Sequence, residues 1–484
     1  MINSLSTCRT FLIIFIVGLF ILAARGVHDP DVWWHLRSGQ QIVQTHAVPR
    51  YDLFSYTKSG QRWIAHEWLS EAILYLIYRM VGWTGLITLF SGVIGGAFLI
   101  TYFRCRGRPY VAGLVVLLGA LASAPTWGVR PQMFSVLLAA IFLALLEGAT
   151  RDGNARRLWW LVPLTILWVN LHGGYAIGLA LIVLTMLGWY LESSRNPLAL
   201  SQERKRLRIT ALVLLASVAV IPLNPNGIKL YSYPFETLQS PAMQRYISEW
   251  ASPNFHEGDF KPLLVLLLLT FAAAAISRIH LSAPQFFLLI ATTYAALVSV
   301  RHIPLLALVV SPIIAERVYG LGPAFGSSWR ESSPSRIKFL LNSTLVLGIV
   351  VFAAVRFTQV VRQQPGQETK YFPTTAVNFI ARHHPVAPVF NYYDWGGYII
   401  WRLYPEYRVF VDGRADLYGD KYMEEMADTL HAEKNWQEPI RRFGVGTVLV
   451  PPNIQLAAVL GRDPGWTKVF EDGQAIIFTR KRER

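Results

Sequence analysis

The sequence predicts a polytopic α-helical membrane protein of about eleven spans, followed by a C-terminal α/β domain outside the cytoplasm. Three observations predict it. The 484 residues are 53% hydrophobic and only 15% charged, whereas a soluble domain carries about a quarter charged residues. Apolar runs close to the length of a spanning helix, about 20 residues, recur from residue 10 to residue 357. After Phe357 they stop, and short β-like runs alternate with helical ones.

The predicted spans are 10–26, 84–103, 110–127, 132–149, 157–172, 174–192, 209–223, 262–277, 283–300, 303–318 and 338–357. The first is read as uncleaved, because Ala23-Ala24-Arg25 is a poor cleavage site. The pairs that meet at His172-Gly173-Gly174 and at Arg301-His302 have almost no loop, so they are tight hairpins or kinked helices. The loops at Arg104–Arg108, Arg151–Arg157, Arg195–Arg208, Arg278 and Arg317–Lys338 hold sixteen Lys and Arg. The alternate loops, including a long first loop 27–83, hold ten. The positive-inside rule therefore puts the first set in the cytoplasm, with the N-terminus inside and the C-terminal domain outside the inner (cytoplasmic) membrane. Ile64 to Val81 resembles a span but contains His66, Glu67, Glu71 and Arg79. Counting it would break the charge alternation, so it reads as a juxtamembrane or partly inserted helix of the first outer loop.

Two domains follow from this: 1–357 in the membrane and 358–484 outside it. In the second, Arg408 to Val411 and Thr447 to Val450 read as short strands, with a weaker signal from Val386 to Phe390 that Pro388 interrupts. Trp466 to Phe470 and Ala475 to Thr479 flank Asp472-Gly473, a hairpin signal. Helices are expected at Thr374–Arg382, Trp395–Leu403, Lys421–His431 and Gln437–Phe443.

The net charge of +15 fits basic cytoplasmic loops. No basic stripe is interleaved with stacking aromatics, which excludes nucleic acid. Cys8 and Cys105 stand in no metal-ligand spacing, so no cysteine chemistry is expected.

The functional signal is a gathering of polar groups on the predicted outer face. It begins with His28-Asp29-Pro30-Asp31-Val32-Trp33-Trp34-His35-Leu36-Arg37, directly after the first span, and continues with His66, Glu67, Arg130, His172, Arg301 and His302. Ionisable groups at membrane helix ends are costly unless they serve a pathway or a site. Each has a plainer role open to it. Asp29 or Asp31 could cap the helix that starts near Val32. Arg130 and Arg301 could snorkel to the interface. Each histidine could satisfy a helix end. None of the histidines stands in a zinc-ligand spacing. A second constellation lies in the outer domain, Asn391-Tyr392-Tyr393-Asp394-Trp395-Gly396-Gly397-Tyr398 and Val409-Phe410-Val411-Asp412-Gly413-Arg414. Asp394 is placed to cap the helix from Trp395, and the glycines allow close backbone approach.

On these residues the chain resembles the GT-C class of membrane glycosyltransferases. Asp29 to Arg37 is similar to the DP-aromatic-aromatic stretch and arginine in the first outer loop of the oligosaccharyltransferase catalytic subunit. Tyr392-Tyr393-Asp394-Trp395-Gly396 stands where that subunit has WWDYG, with tyrosines for its tryptophans and Trp395 for its tyrosine. Pro49 to Leu69 resembles the first outer loop of mannosyltransferase-like members. The resemblance implies transfer of a sugar from a polyprenyl-phosphate or polyprenyl-pyrophosphate donor to a glycan, lipid or protein acceptor. Asp31, or Asp29, is then the general base, or the two hold a divalent cation such as Mg²⁺ or Mn²⁺. Arg130, Arg301, His302 and His172 hold the donor phosphate. Tyr393, Asp394 and Trp395 bind the acceptor, and His35, Arg37, His66 and Glu67 complete the first-loop site. Glu249, Glu257 and Asp259 are the candidates for a second acidic pair. The alternatives are a transporter or flippase, or a non-catalytic assembly protein, for a lipid-linked glycan.

Overall fold

A computed structural model describes residues 6–195, 200–321 and 335–481. Each of the eleven predicted spans overlaps a helix, from Thr7–Ala23 at the start to Arg336–Tyr371 at the end. Among the described residues, seven helical segments are long and apolar enough to cross a membrane, and Thr7–Ala23 and Ala283–Val298 are shorter apolar helices. The chain is a multi-pass helical membrane protein.

Helix Trp68–Arg104 is interrupted at Gly82, whose φ of 65° and ψ of −150° are not helical. The stretch 68–81, with its Glu71 and Arg79, is therefore an element distinct from the one that follows.

The chain forms two compact units. The first comprises Met1–Arg25, Ile87–Ile228 and Ser248–Arg362, and is built from the apolar helices. The second comprises Gly26–Leu86, Lys229–Ile247 and Gln363–Arg484. It contains a four-stranded sheet of β1 (Val389–Asn391), β2 (Thr447–Val450), β3 (Trp466–Glu471) and β4 (Ile476–Arg480), in the order β1-β2-β4-β3. β1 and β2 run parallel, with Val389 opposite Thr447. β3 and β4 form the antiparallel hairpin that Asp472-Gly473 signals. The segment 408–411 corrects the strand expected there. It makes only isolated bridges, Val409 to Val389 and Val409 to Ser55. The reason lies in Asn391, whose Oδ1 accepts from Phe410 N–H at 2.9 Å and whose Nδ2 donates to Val411 O at 2.8 Å. A side chain thus takes the bonds a ladder would use.

The core of this unit joins first-loop residues to the C-terminal ones. The buried Trp33 ring meets Tyr398, Trp83 and Phe372 at centroid distances of 5.0, 5.2 and 5.4 Å. Phe390 and Phe410 pack at 4.5 Å beside Tyr422 and Phe443. Aromatic area of this kind dominates core energetics.

Candidate active site

The HDPDVWWHLR run becomes helix Asp31–Thr45. Asp29 Oδ1 accepts the Asp31 N–H at 2.9 Å and so ties down the first helical residue. Pro30 at the cap position makes no side-chain bond, and Asp31 lies in the first turn where the helix dipole favours a carboxylate. One face, with Val32, Trp33, Leu36, Gly39 and Ile42, is buried. Trp34 Nε1–H donates to Asp31 Oδ1 at 3.1 Å and orients that carboxylate.

The two motifs singled out in the sequence meet here. Helix Gly396–Leu403 packs on helix Asp31–Thr45. A Cβ at Gly397 would lie 2.7 Å from Pro30 O, and one at Gly413 would lie 1.7 Å from Asp31 Oδ1. Only glycine permits these approaches. Tyr393 and Asp394 stand in the field of the first-loop acids. Burial, then Asp31, Asp412 and Asp394, raise the Tyr393 phenol well above its ordinary value. Asp394 is an exposed residue. Desolvation by the surrounding protein, then Asp31 and Asp29, still push its carboxyl up to about 6.

Asp394 does not cap the following helix. Residues Tyr393–Trp395 form a 3-10 turn, with Trp395 N–H bonded to Tyr392 O at 3.1 Å, and the helix begins at Gly396 without a side-chain cap. The tight turn places the acid one residue too early for a cap.

Behind Asp31 lies a buried chain of acids and histidines. His35 Nδ1 is 3.6 Å from Glu71 Oε1 and 3.7 Å from Glu67 Oε2. Ser38 Oγ donates to Glu71 Oε2 at 2.6 Å. His66 Nε2 is 3.1 Å from Glu67 Oε1 and 3.2 Å from the Tyr233 hydroxyl. That hydroxyl donates in turn to Asp416 Oδ2 at 3.4 Å. Burial alone would lower His66, but the Glu67 charge and hydrogen bond and the Asp416 charge outweigh it and hold the imidazolium up to about 9. His35 is raised in the same way, against its burial, by Glu71 and Glu67 and then Asp31. His35, His66 and Glu67 thus fix the floor under the site. Arg37 faces elsewhere: its guanidinium donates to Tyr404 O at 2.9 Å and Gln40 Oε1 at 2.8 Å, and stacks on the Tyr404 ring.

The predicted phosphate ligands lie in the first unit. Arg130 forms an ion pair with Glu249. The neighbouring Trp250 carries the Arg301 guanidinium over its ring at 4.7 Å and meets His302 edge-on at 6.3 Å. Ser299 Oγ donates to Glu249 O at 2.8 Å and Val300 N–H to Ala251 O at 3.0 Å, which ties segment 249–251 to segment 299–302. Arg130, Arg301 and His302 are thereby brought together, and Glu249 is spent on Arg130. His172 is engaged otherwise. Its Nδ1 accepts the Gly174 N–H at 2.9 Å and lies 2.7 Å from Ser135 Oγ, which itself accepts from Trp168 Nε1. It closes the end of helix Leu161–Leu171 before helix Tyr175–Arg195 begins, the plainer role open to a histidine there.

No protein-family model matches the chain, and no curated protein matches its sequence. Among solved structures, ArnT of Cupriavidus metallidurans bound to undecaprenyl phosphate superposes at a TM-score of 0.55 and 14% identity, over 97% of each chain. The oligosaccharyltransferase of Archaeoglobus fulgidus in the apo form gives 0.53 and 12%, over 91% of this chain and 69% of that one. Its complex with zinc and sulfate gives 0.52 and 13%. The chain has the GT-C fold.

At these identities the likeness is one of fold. The GT-C resemblance raises the question of a metal at Asp29 and Asp31. Among the described residues, no group of three or more His, Cys, Asp or Glu side chains is gathered to hold a metal ion. Asp29 Oδ1 and Asp31 Oδ1 accept the Asp31 N–H and the Trp34 Nε1–H respectively, and each carboxylate keeps a second oxygen with which it could contribute to a cation site. Residues that sequence reasoning missed are Asp52, Glu71, Tyr233, Asp416 and Tyr418. Glu71 stands four residues after Glu67 on a polar helix face and was visible in principle. Tyr233 and Asp416 carry no local signal, because they meet each other and His66 across long stretches of chain, and Asp52 shows only its local turn with Ser55, not its distant partner Arg414.

Proposed function

We propose that this protein is a glycosyltransferase of the outer membrane face, taking a sugar from a polyprenyl-phosphate (or pyrophosphate) donor and attaching it to an acceptor hydroxyl. The observation that carries it is the Asp31 carboxylate, held by Trp34 and flanked by Tyr393 and Asp394, in a chain with the GT-C fold. In one unit carboxylates converge; in the other, cationic groups do.

Asp31 accepts the proton of the attacking hydroxyl. The hydroxyl oxygen bonds to the anomeric carbon as the bond from that carbon to the phosphate oxygen breaks, and the phosphate leaves with the electron pair. Positioned bases of this kind contribute about 10²–10⁴-fold. Arg130, Arg301 and His302, gathered in the helical unit, are the groups suited to bind a donor phosphate. Asp29 holds the helix start and so the Asp31 backbone. Tyr393, Asp394 and Trp395 bind the acceptor, aromatic faces suiting a sugar ring and the acid its hydroxyls. The polyprenyl tail needs no polar partner and lies among the apolar helices. In this reading the N-terminus is cytoplasmic and residues 358–484 are extracytoplasmic.

Surface glycans and lipid-linked intermediates compared with and without the gene test this function. Accumulated lipid-linked sugar in the null strain supports transfer; no change in either pool overturns it. Protease reaching residues 358–484 from outside intact spheroplasts supports the topology, and protection there contradicts it.

A further inference from the structure

We infer that Gly413 is the seat of the Asp31 carboxylate, and that a buried Asp52–Arg414–Asp412 bridge fixes that seat, which makes Gly413, Asp412 and Arg414 positioning residues for the transfer. The inference rests on Asp31 as the base. A Cβ at position 413 would stand 1.7 Å from Asp31 Oδ1, 2.9 Å from its Cγ and 3.1 Å from Trp34 Nε1. One carboxylate oxygen is therefore held between an indole N–H and the bare Cα of a glycine.

The chain on either side of that glycine is pinned. Arg414 Nε and Nη2 fork onto Asp412 Oδ1 and Oδ2 at 2.8 and 2.7 Å. Arg414 N–H also donates to Asp412 Oδ1 at 3.0 Å, and Tyr418 donates to Oδ2 at 2.8 Å. Arg414 Nη2 reaches Asp52 Oδ1 at 2.8 Å. Asp52 is locked in turn by Ser55 N–H and Oγ. The Trp63 and Phe54 rings cover the guanidinium at 4.7 and 5.2 Å. Asp412 is fully buried, and Arg414 and Asp52 nearly so. A buried ion bridge is a poor source of stability compared with apolar packing. What it supplies is fixed geometry, through a planar fork that lysine cannot reproduce. That geometry is delivered to Gly413, whose Cα lies against the Asp31 carboxylate.

The test is a double-mutant cycle on the full chain in detergent, read by thermal melting: Gly413→Ala and Asp31→Ala, singly and together. Gly473→Ala, where an added Cβ meets nothing within 4 Å, is the matched control. Gly413→Ala is expected to lower the melting temperature by several degrees, and to do so much less once Asp31 is alanine. An equal drop in both backgrounds, or no drop beyond that of Gly473→Ala, overturns the seat. A panel of synthetic polyprenyl-phosphate monosaccharides supplies the second readout. On a donor that the wild type turns over, Gly413→Ala lowers kcat by about 100-fold, the scale of a displacement of about 1 Å, while KM for the donor stays near its wild-type value. An unchanged kcat overturns the positioning role. If the wild type turns over no member of the panel, the transferase reading fails, and the melting cycle still decides the seat.

Discussion

In the helical unit, Arg130 and Arg301 are held by neighbouring residues of one short segment, Glu249 and Trp250, at partly exposed positions. In the other unit, Asp412 and Arg414 are buried and bonded to each other, to Asp52 and to Tyr418, and Asp31 rests on a glycine that admits no side chain. The difference matches the roles proposed for the two clusters. A phosphate ligand must exchange its partner for substrate, and a partly exposed position suits that. A general base must sit at one place, and only a buried and over-determined surround enforces that.

The contrast breaks most readily at Asp412. Asp412→Ala leaves the buried Arg414 with Asp52 alone. Removing one partner of a buried pair costs about 3–5 kcal/mol, so the variant is expected to melt far below the wild type or to fail to accumulate in the membrane. A melt within a degree or two of wild type would place the bridge among weak surface pairs. Next is Gly396→Ala. Its Cβ would stand 2.1 Å from Val411 O, a backbone atom with little room to give. Overpacking of this kind costs about 1–3 kcal/mol, read as a lowered melting temperature.

The His66 cluster gives a pH signature. Its folded value of about 9 lies above the ordinary value of 6.5. The imidazolium therefore stabilises the fold in full below about pH 6.5, and that stability is lost as pH rises through about 9. Melting temperature against pH is expected to fall across this window in the wild type and to run flatter in His66→Gln. The smallest effect belongs to the helical unit. Arg130→Gln and Glu249→Gln are each expected to cost no more than about 1 kcal/mol, as partly exposed pairs do. Arg130→Gln alone is expected to raise KM for the donor. A matching rise in Glu249→Gln would show that Arg130 serves the fold and not the phosphate.

Much of this was legible in the chain. Apolar length marked the helices, because membrane helices satisfy their own backbone and announce themselves by composition. The Asp472-Gly473 turn marked its hairpin. HDPDVWWHLR, YYDWGG and VDGR stood out by their density of charge and glycine, and the structure shows the three packed on one another. The bonds that make a site of them were not legible. Asp52, Tyr233 and Asp416 look like ordinary loop or helix residues until the fold brings Arg414 and His66 to them. The strand expected at 408–411 failed because periodicity cannot reveal that the Asn391 side chain takes its ladder bonds. Asp394 failed as a cap because Tyr393–Trp395 form a 3-10 turn that leaves it one residue before the N-cap position, which local propensity does not reveal.

The central claim is that Asp31 is the base. It is tested most directly by the kcat of Asp31→Asn on a polyprenyl-phosphate sugar that the wild type turns over, with folding confirmed by an unchanged melt. Asparagine keeps the shape and the Trp34 contact but cannot take a proton. The account predicts a loss of about 10²–10⁴-fold in kcat with little change in KM. Turnover equal to wild type in a folded Asp31→Asn protein would contradict it.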